Sequence, residues 1–168
     1  MSTTDRTLVL DHDRVQRKLT RIAAQLHEEH FDEARISLVG IAPRGVQLAQ
    51  RLKALIEKAD GPKVDLHTLE LDKQDPLGNA VKLDVDDAKL RDRTVVLVDD
   101  VLMSGRTLMH AAAHLVRFPL KKLTTVVLVD RRHRGFPIRA DIVGLTLSTT
   151  LRERIHVELG KQDAVYLT

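Results

Sequence analysis

The stretch VVLVDDVLMSGRTL, Val95 to Leu108, decides how this chain is read. Its apolar start, dense in valine and leucine, is the pattern of a strand buried on both faces. The run ends in two adjacent acids, Asp99 and Asp100, followed by Ser104, Gly105, Arg106 and Thr107, which open a helix. A turn at a helix N-terminus presents unpaired backbone N–H groups and the positive end of the helix dipole, and so suits an anion. Gly105 permits close backbone approach, and Ser104 and Thr107 add hydroxyl donors. Asp99 and Asp100 would repel a phosphate but suit sugar hydroxyls or a hydrated Mg2+. A ligand with a phosphate at one end and vicinal hydroxyls beside it fits this order of groups. The plainer alternative is a strand end with two solvated acids and a helix capped by Ser104.

Outward from this segment, the chain alternates strands and helices. Val15, Leu19, Ile22 and Leu26 share one face of a helix predicted over 11–30, with Asp11 or Asp13 as its cap. ISLVGI (Ile36 to Ile41) reads as a buried strand. The next helix begins at Gly45 and stops at Gly61, with Val46, Ala49, Leu52 and Ile56 on one face. KVDLHTLEL (Lys63 to Leu71) alternates as a half-buried strand does. Asp72 to Arg93 is polar, holds Pro76 and Gly78, and is expected to be a mobile loop with strand fragments. TVVLV (Thr94 to Val98) and TTVVLV (Thr124 to Val129) read as central strands, with a helix over Ser104–Phe118 between them that Pro119 closes. From Arg131 onward, short strands alternate with basic turns. This rhythm predicts an α/β fold with a mainly parallel central sheet flanked by helices. In such sheets ligands lie beyond the carboxyl ends of the strands, which points to the segments after Ile41, Val98 and Val129.

Composition narrows the class. A length of 168 residues suits one domain, taken as 1–168. With 43% hydrophobic and 30% charged residues the chain is globular rather than disordered. The absence of cysteine excludes disulfides, a thiolate nucleophile and cysteine-based metal sites. A net charge of +3 is weak for a dedicated nucleic-acid binder, and Phe31, Phe118, Phe136 and Tyr166 leave little for stacking bases. The charged start MSTTDRTLVLDHDR has no apolar leader, and no run is long enough to span a membrane, so the expected location is cytoplasmic. The pairs His110/His114 and His27/His30 have helical spacing but no third ligand, and are expected at a surface or interface.

VVLVDDVLMSGRT closely resembles the phosphoribosyl pyrophosphate (PRPP) signature of type I phosphoribosyltransferases. That resemblance implies their fold, with a small hood and a mobile loop beside the central sheet. Asp99 and Asp100 would hold the ribose 2′- and 3′-hydroxyls, and Val101, Leu102, Met103, Ser104, Gly105, Arg106 and Thr107 would wrap the 5′-phosphate. Mg2+ would come with PRPP, water-bridged to Asp99 and Asp100 rather than bound directly by side chains. LVGIAPRGVQLA (Leu38 to Ala49) is similar to the family's pyrophosphate loop. Gly40, Ile41, Ala42, Pro43 and Gly45 would supply it, with Arg44 adding charge beside Asp99 and Asp100 in the catalytic set.

RKLTRIA, LVGIAPRG and LVDRRHRGFPIRADIVGLTLSTT (Leu128 to Thr150) together resemble the bifunctional pyrimidine-operon attenuators that are also uracil phosphoribosyltransferases. This implies UMP synthesis from uracil and PRPP, mRNA binding, and a homodimer or larger homo-oligomer. Arg131, Arg134, Phe136, Pro137 and Ile138 would cover the base, and Thr20, Arg21 and Arg139 would lie on an RNA face. By residue chemistry alone, Arg131, Arg132, Arg134 and Arg139 form the most basic patch of the chain, fit for phosphate or for pairing with nearby acids. The chain departs from the group in four places. Glu70 and Leu71 stand where an arginine binds pyrophosphate; Lys73 could reach the pyrophosphate instead, but Glu70, Asp72 and Asp75 make the segment unattractive to an anion. Met103 replaces an aromatic, Ala24 a histidine and Leu145 a lysine. Three activities therefore stay open: pyrimidine phosphoribosyltransferase, RNA-binding attenuator, and silent sensor of PRPP or nucleotide.

Overall fold

In a computed structural model, residues 5–168 are described, so the first four residues of the charged N-terminal stretch lie outside it. The elements in chain order are β1 (Thr7–Leu10), α1 (His12–Glu29), β2 (Arg35–Ile41), α2 (Arg44–Lys58), β3 (Lys63–Glu70), β4 (Lys82–Leu83), α3 (Asp87–Leu90), β5 (Thr94–Leu102), α4 (Arg106–Leu115), β6 (Lys122–Asp130), β7 (Ile142–Thr146), β8 (Ile155–Glu158) and β9 (Ala164–Leu167). A six-stranded sheet runs in the order β4-β3-β2-β5-β6-β7, parallel throughout except where β4 pairs with β3. A second sheet, antiparallel and ordered β1-β9-β8, is the small hood.

Helix α1 begins as its sequence requires. Asp11 is the cap, its carboxylate accepting from the Arg14 N–H at 2.9 Å, and Val15, Leu19, Ile22 and Leu26 are buried together with Ala23. Those side chains join Leu48, Leu52 and Ile56 of α2 over one face of the sheet, where Leu38, Val96 and Val126 meet them. Leu108, Ala111 and Leu115 of α4 cover the other face, against Val39, Val95, Leu97 and Val127. Burial on both faces explains why β2, β5 and β6 read as unbroken apolar runs.

Four local expectations are corrected. Strand β5 does not stop at Val98; Asp99, Val101 and Leu102 still pair with Val127, Val129 and Asp130 of β6, so the two acids sit on the strand end. Helix α4 starts at Arg106 rather than Ser104, because Gly105 takes φ +87, a left-handed conformation that a helix cannot pass through. That helix also ends at Leu115, three residues before Phe118. His30 is buried and its Nε2 has no partner, instead of facing a surface, and burial pushes its pKa down.

The hood is pinned to the helices by Asp163, whose side chain is fully buried. Its carboxylate accepts from Gln16 Nε2 at 2.5 Å, the Gly160 N–H at 2.9 Å and Arg51, while its own N–H donates to His12 Nδ1 at 3.0 Å. Among the described residues, no helix is long and apolar enough to cross a membrane.

Candidate active site

The carboxyl ends of β2 and β5 meet because glycine stands where the two backbones touch. A Cβ on Gly45 would lie 2.4 Å from the Val98 carbonyl oxygen, so any other residue there would force the start of α2 off β5. The peptide between Ala42 and Pro43 is cis, and the Ala42 N–H donates to the Leu69 carbonyl at 2.9 Å, tying this loop to the end of β3. The result is a cavity of about 370 Å³ at the carboxyl edge of the sheet. Arg44 enters it from the loop after β2, Asp99 and Asp100 from the end of β5, and Val101 to Leu108 from the turn into α4.

Asp99 and Asp100 are 3% and 6% exposed, buried carboxylates with few donors. Asp99 Oδ1 accepts from the Asp100 N–H at 2.9 Å, and Lys73 Nζ stands 3.8 Å from it. Burial, reinforced by the neighbouring Asp100 charge, pushes the Asp99 carboxyl well above the usual carboxylate range, with Lys73 pulling the other way. A hydrated cation or hydroxyl donors on a ligand would relieve this cost. Beside them, the first turn of α4 lines the same space, with the Arg106 N–H donating to the Ser104 hydroxyl at 3.3 Å and the other N–H groups of the helix start left without intrahelical partners. Anion-binding amides and hydroxyl-accepting carboxylates therefore line one cavity, in the order the sequence set them.

Lys73 is a lining residue although its neighbourhood argued against it. The surrounding acids are turned onto their own backbone: Asp72 accepts from the N–H groups of Gln74 and Asp75 and from Asn79 Nδ2, and Asp75 from the Gly78 N–H. Backbone donors hold the Asp72 carboxyl below its ordinary pKa, and the turn they form leaves the ammonium facing Asp99. Asx-type turns are visible in DKQDPLGN, and that was the signal available. Ile155 of the hood also lines the cavity, and no local pattern marks it.

The phosphoribosyl transferase domain family matches residues 6–163. This chain is a phosphoribosyltransferase by family. Among its relatives are proteins called Bifunctional protein PyrR from Macrococcus caseolyticus, 38% identical over 95% of both chains, and from Haemophilus influenzae, 35% identical over 95% of this chain and 94% of that one. The fold is shared with a hypoxanthine-guanine phosphoribosyltransferase of Bacillus anthracis, at a TM-score of 0.71 and 22% identity over 84% of this chain and 82% of the other. A hypoxanthine phosphoribosyltransferase of Trypanosoma cruzi gives 0.73 at 16% identity, covering 85% and 78%.

In this phosphoribosyltransferase, Gly40 and Ile41 end β2, Ala42 and Pro43 make the connection and Gly45 lies in the first turn of α2; none of them lines the cavity, which Arg44 at the start of α2 does. Residues 131–138 lie against the turn before α4: the N–H groups of Gly135 and Phe136 donate to the Ser104 carbonyl at 2.9 and 3.0 Å, and a Cβ on Gly105 would come 2.7 Å from Ile138 Cγ2. Arg131 donates to Thr149 Oγ1 at 2.6 Å and the Thr150 carbonyl at 2.9 Å. Arg134 spans Asp130 and the carbonyls of Met103 and Ile138. Pro137 is exposed. Thr20 and Arg21 are elsewhere, on α1, where Arg21 donates to the carbonyls of Val143 and Gly144 at 3.0 and 2.7 Å and Thr20 to Gln16. Arg139 lines a separate cavity with Asp130, Arg132, Arg134 and Thr146. Among the described residues no group of three or more His, Asp or Glu is set to hold a metal, so a Mg2+ would have to draw most of its oxygens from substrate and water.

Proposed function

We propose that this phosphoribosyltransferase, acting as one domain over 1–168, moves the 5-phosphoribosyl group from PRPP to a pyrimidine base, uracil, giving UMP and pyrophosphate. One observation carries the reading: two buried, poorly satisfied carboxylates share a cavity with the free amides of the α4 N-terminus and with Arg44. Asp99 and Asp100 orient the ribose through its hydroxyls. The amides and hydroxyls from Val101, Leu102, Met103, Ser104, Gly105, Arg106 and Thr107 grip the 5′-phosphate. Arg44, with the loop of Gly40, Ile41, Ala42, Pro43 and Gly45, neutralises charge on the departing pyrophosphate, and Lys73 stands close enough to join it. Charge develops at C1 as the bond to pyrophosphate loosens and the base nitrogen closes, so positioning, charge neutralisation and exclusion of water carry the rate. Mg2+, when bound with PRPP, supplies positive charge to the phosphate oxygens, with Asp99 and Asp100 holding its water shell.

Arg131, Arg134, Phe136, Pro137 and Ile138 cover the base. Uracil as that base rests on the resemblance of LVDRRHRGFPIRADIVG to the pyrimidine group. The name of the relatives, bifunctional, supports a second role beside catalysis. That this role is the regulation of pyrimidine genes through RNA, with Thr20, Arg21 and Arg139 on the contact face and a homo-oligomer as the acting form, rests on the resemblance of the same sequence segments to the pyrimidine group. PRPP is a charged metabolite that does not leak through membranes, which puts the reaction in the cytoplasm.

A panel of bases with PRPP and Mg2+, read by pyrophosphate release, tests the activity. Release is expected with uracil and not with hypoxanthine or guanine; no release with any base overturns the reading.

A further inference from the structure

Four cations converge on a second cavity, of about 480 Å³, that shares no lining residue with the active one. Arg35 comes from β2, Lys53 from α2, Lys89 from α3, and Arg93 from just ahead of β5. Two of them are matched. Arg35 Nη1 lies 2.6 Å from Asp65 Oδ1, and Lys53 Nζ lies 2.8 Å from Glu57 Oε1 and 2.7 Å from the Val64 carbonyl. Lys89 and Arg93 have no carboxylate partner among the described residues. Asp84, a further acid beside the cavity, accepts from the Thr68 N–H at 2.8 Å and stands 3.9 Å from His67 Nδ1.

The backbone adds a donor. Along the outer edge of β3, the Val64 N–H is taken by Glu57 Oε1 and the Thr68 N–H by Asp84 Oδ1. Amides of a parallel strand alternate sides, so the Leu66 N–H between them faces the same edge, and β4 pairs only with Leu69 and Glu70. Leu66 lines the cavity and leaves its N–H there uncovered. A guanidinium, an ammonium and a free amide around one concavity match the geometry of phosphate oxygens.

We propose that this cavity is a second anion site, which takes the phosphates of a small phosphorylated molecule and is independent of the active cavity. His67 reports on it. Its side chain lines the cavity and is 13% exposed. Burial lowers its pKa, and the charges of Lys89 and Arg93 lower it further, against Asp84 and Asp65, which raise it. Arg35 and Lys53 face the same space, already paired with Asp65 and Glu57. An anion seated on Lys89 and Arg93 cancels their repulsion of the imidazolium.

The test follows the C2 proton of His67, assigned with His67→Gln, through pH titrations by NMR. Tripolyphosphate is expected to raise the His67 pKa in the native protein, and the double variant Lys89→Ala/Arg93→Ala to lose that response. The same response to ATP marks nucleotides as a source, and a response to tripolyphosphate alone marks free polyphosphate; both support the site. No change with tripolyphosphate, a response that persists in the double variant, or one produced only by a single-stranded RNA oligomer overturns it. Thermal stabilisation by PRPP serves as the control. Its loss in the double variant alone means the variant is misfolded, and the single variants Lys89→Gln and Arg93→Gln then carry the test, each expected to weaken the response. Its absence from the native protein counts against the active-site reading and leaves the His67 result intact.

Discussion

The segments that follow β5 and β6 leave neighbouring parallel strands at the same edge of the sheet, joined by the Arg131 N–H donating to the Leu102 carbonyl at 2.9 Å. Both are dense in charge, yet their charges meet opposite fates. At the end of β5, just before its turn, Asp99 and Asp100 are buried side by side with a backbone amide and a distant lysine for company. After β6, Arg131 and Arg134 bond to Thr149, Thr150, Met103, Ile138 and Asp130, fastening the loop to the turn beside it. Unmet buried charge is tolerated where a ligand will meet it; charge already met is scaffold. The Arg132 and Arg139 guanidinium groups, which line a neighbouring cavity, make no hydrogen bond or ion pair among the described residues.

The sharpest way to break this contrast is to neutralise the β5 acids. Asp99→Asn with Asp100→Asn is expected to lower PRPP-dependent turnover roughly 10²–10³-fold, the scale of removing a preorganised polar group, and to abolish thermal stabilisation by PRPP. Without ligand, Asp99→Asn alone should raise Tm at neutral pH. The native carboxyl binds its proton more tightly than the unfolded one, so its contribution to stability is present at acid pH and is lost as pH rises above the ordinary carboxylate range. Melting curves across pH should show this decline in the parent and its absence in Asp99→Asn.

Gly105→Ala attacks the point where the two segments touch. A left-handed φ and a Cβ 2.7 Å from Ile138 Cγ2 should together cost about 1–3 kcal/mol in denaturant unfolding. A smaller loss, roughly 1–2 kcal/mol, is expected for Arg134→Ala, which leaves Asp130 with only the Arg132 N–H and frees two carbonyls. If Arg134 is scaffold, stability and affinity for the base should fall together. Arg139→Ala should leave stability within about 0.5 kcal/mol. Any effect should appear in RNA binding, as a salt dependence shallower by about one charge.

How far the chain could be read in advance follows the same division. Helix α1 and strands β2, β5 and β6 were legible because their signals lie within a few residues: a cap, a period, an unbroken apolar run. The turn proposed to bind phosphate carries a local signal for the same reason, since Ser104, Gly105 and the first residues of α4 are contiguous. Strand β1 was not, because TLVL becomes a strand only by pairing with β9, more than 150 residues away. Lys73 stands out poorly in the sequence because its acidic neighbours read there as free charges, whereas Asp72 and Asp75 are engaged by the turn.

The sequence by itself determined the α/β sheet, the placing of two acids next to a glycine turn that opens a helix, and the family to which those belong. Only the tertiary structure decided which charges are available. Pairing between groups distant in the chain sets that, as with Arg134 and the Met103 carbonyl, Arg21 and the Gly144 carbonyl, or Lys73 and the Asp99 carboxylate. The physical reason is range. Backbone preference acts over a turn or two of chain, whereas desolvation and ion pairing depend on what the whole fold brings within a few ångströms.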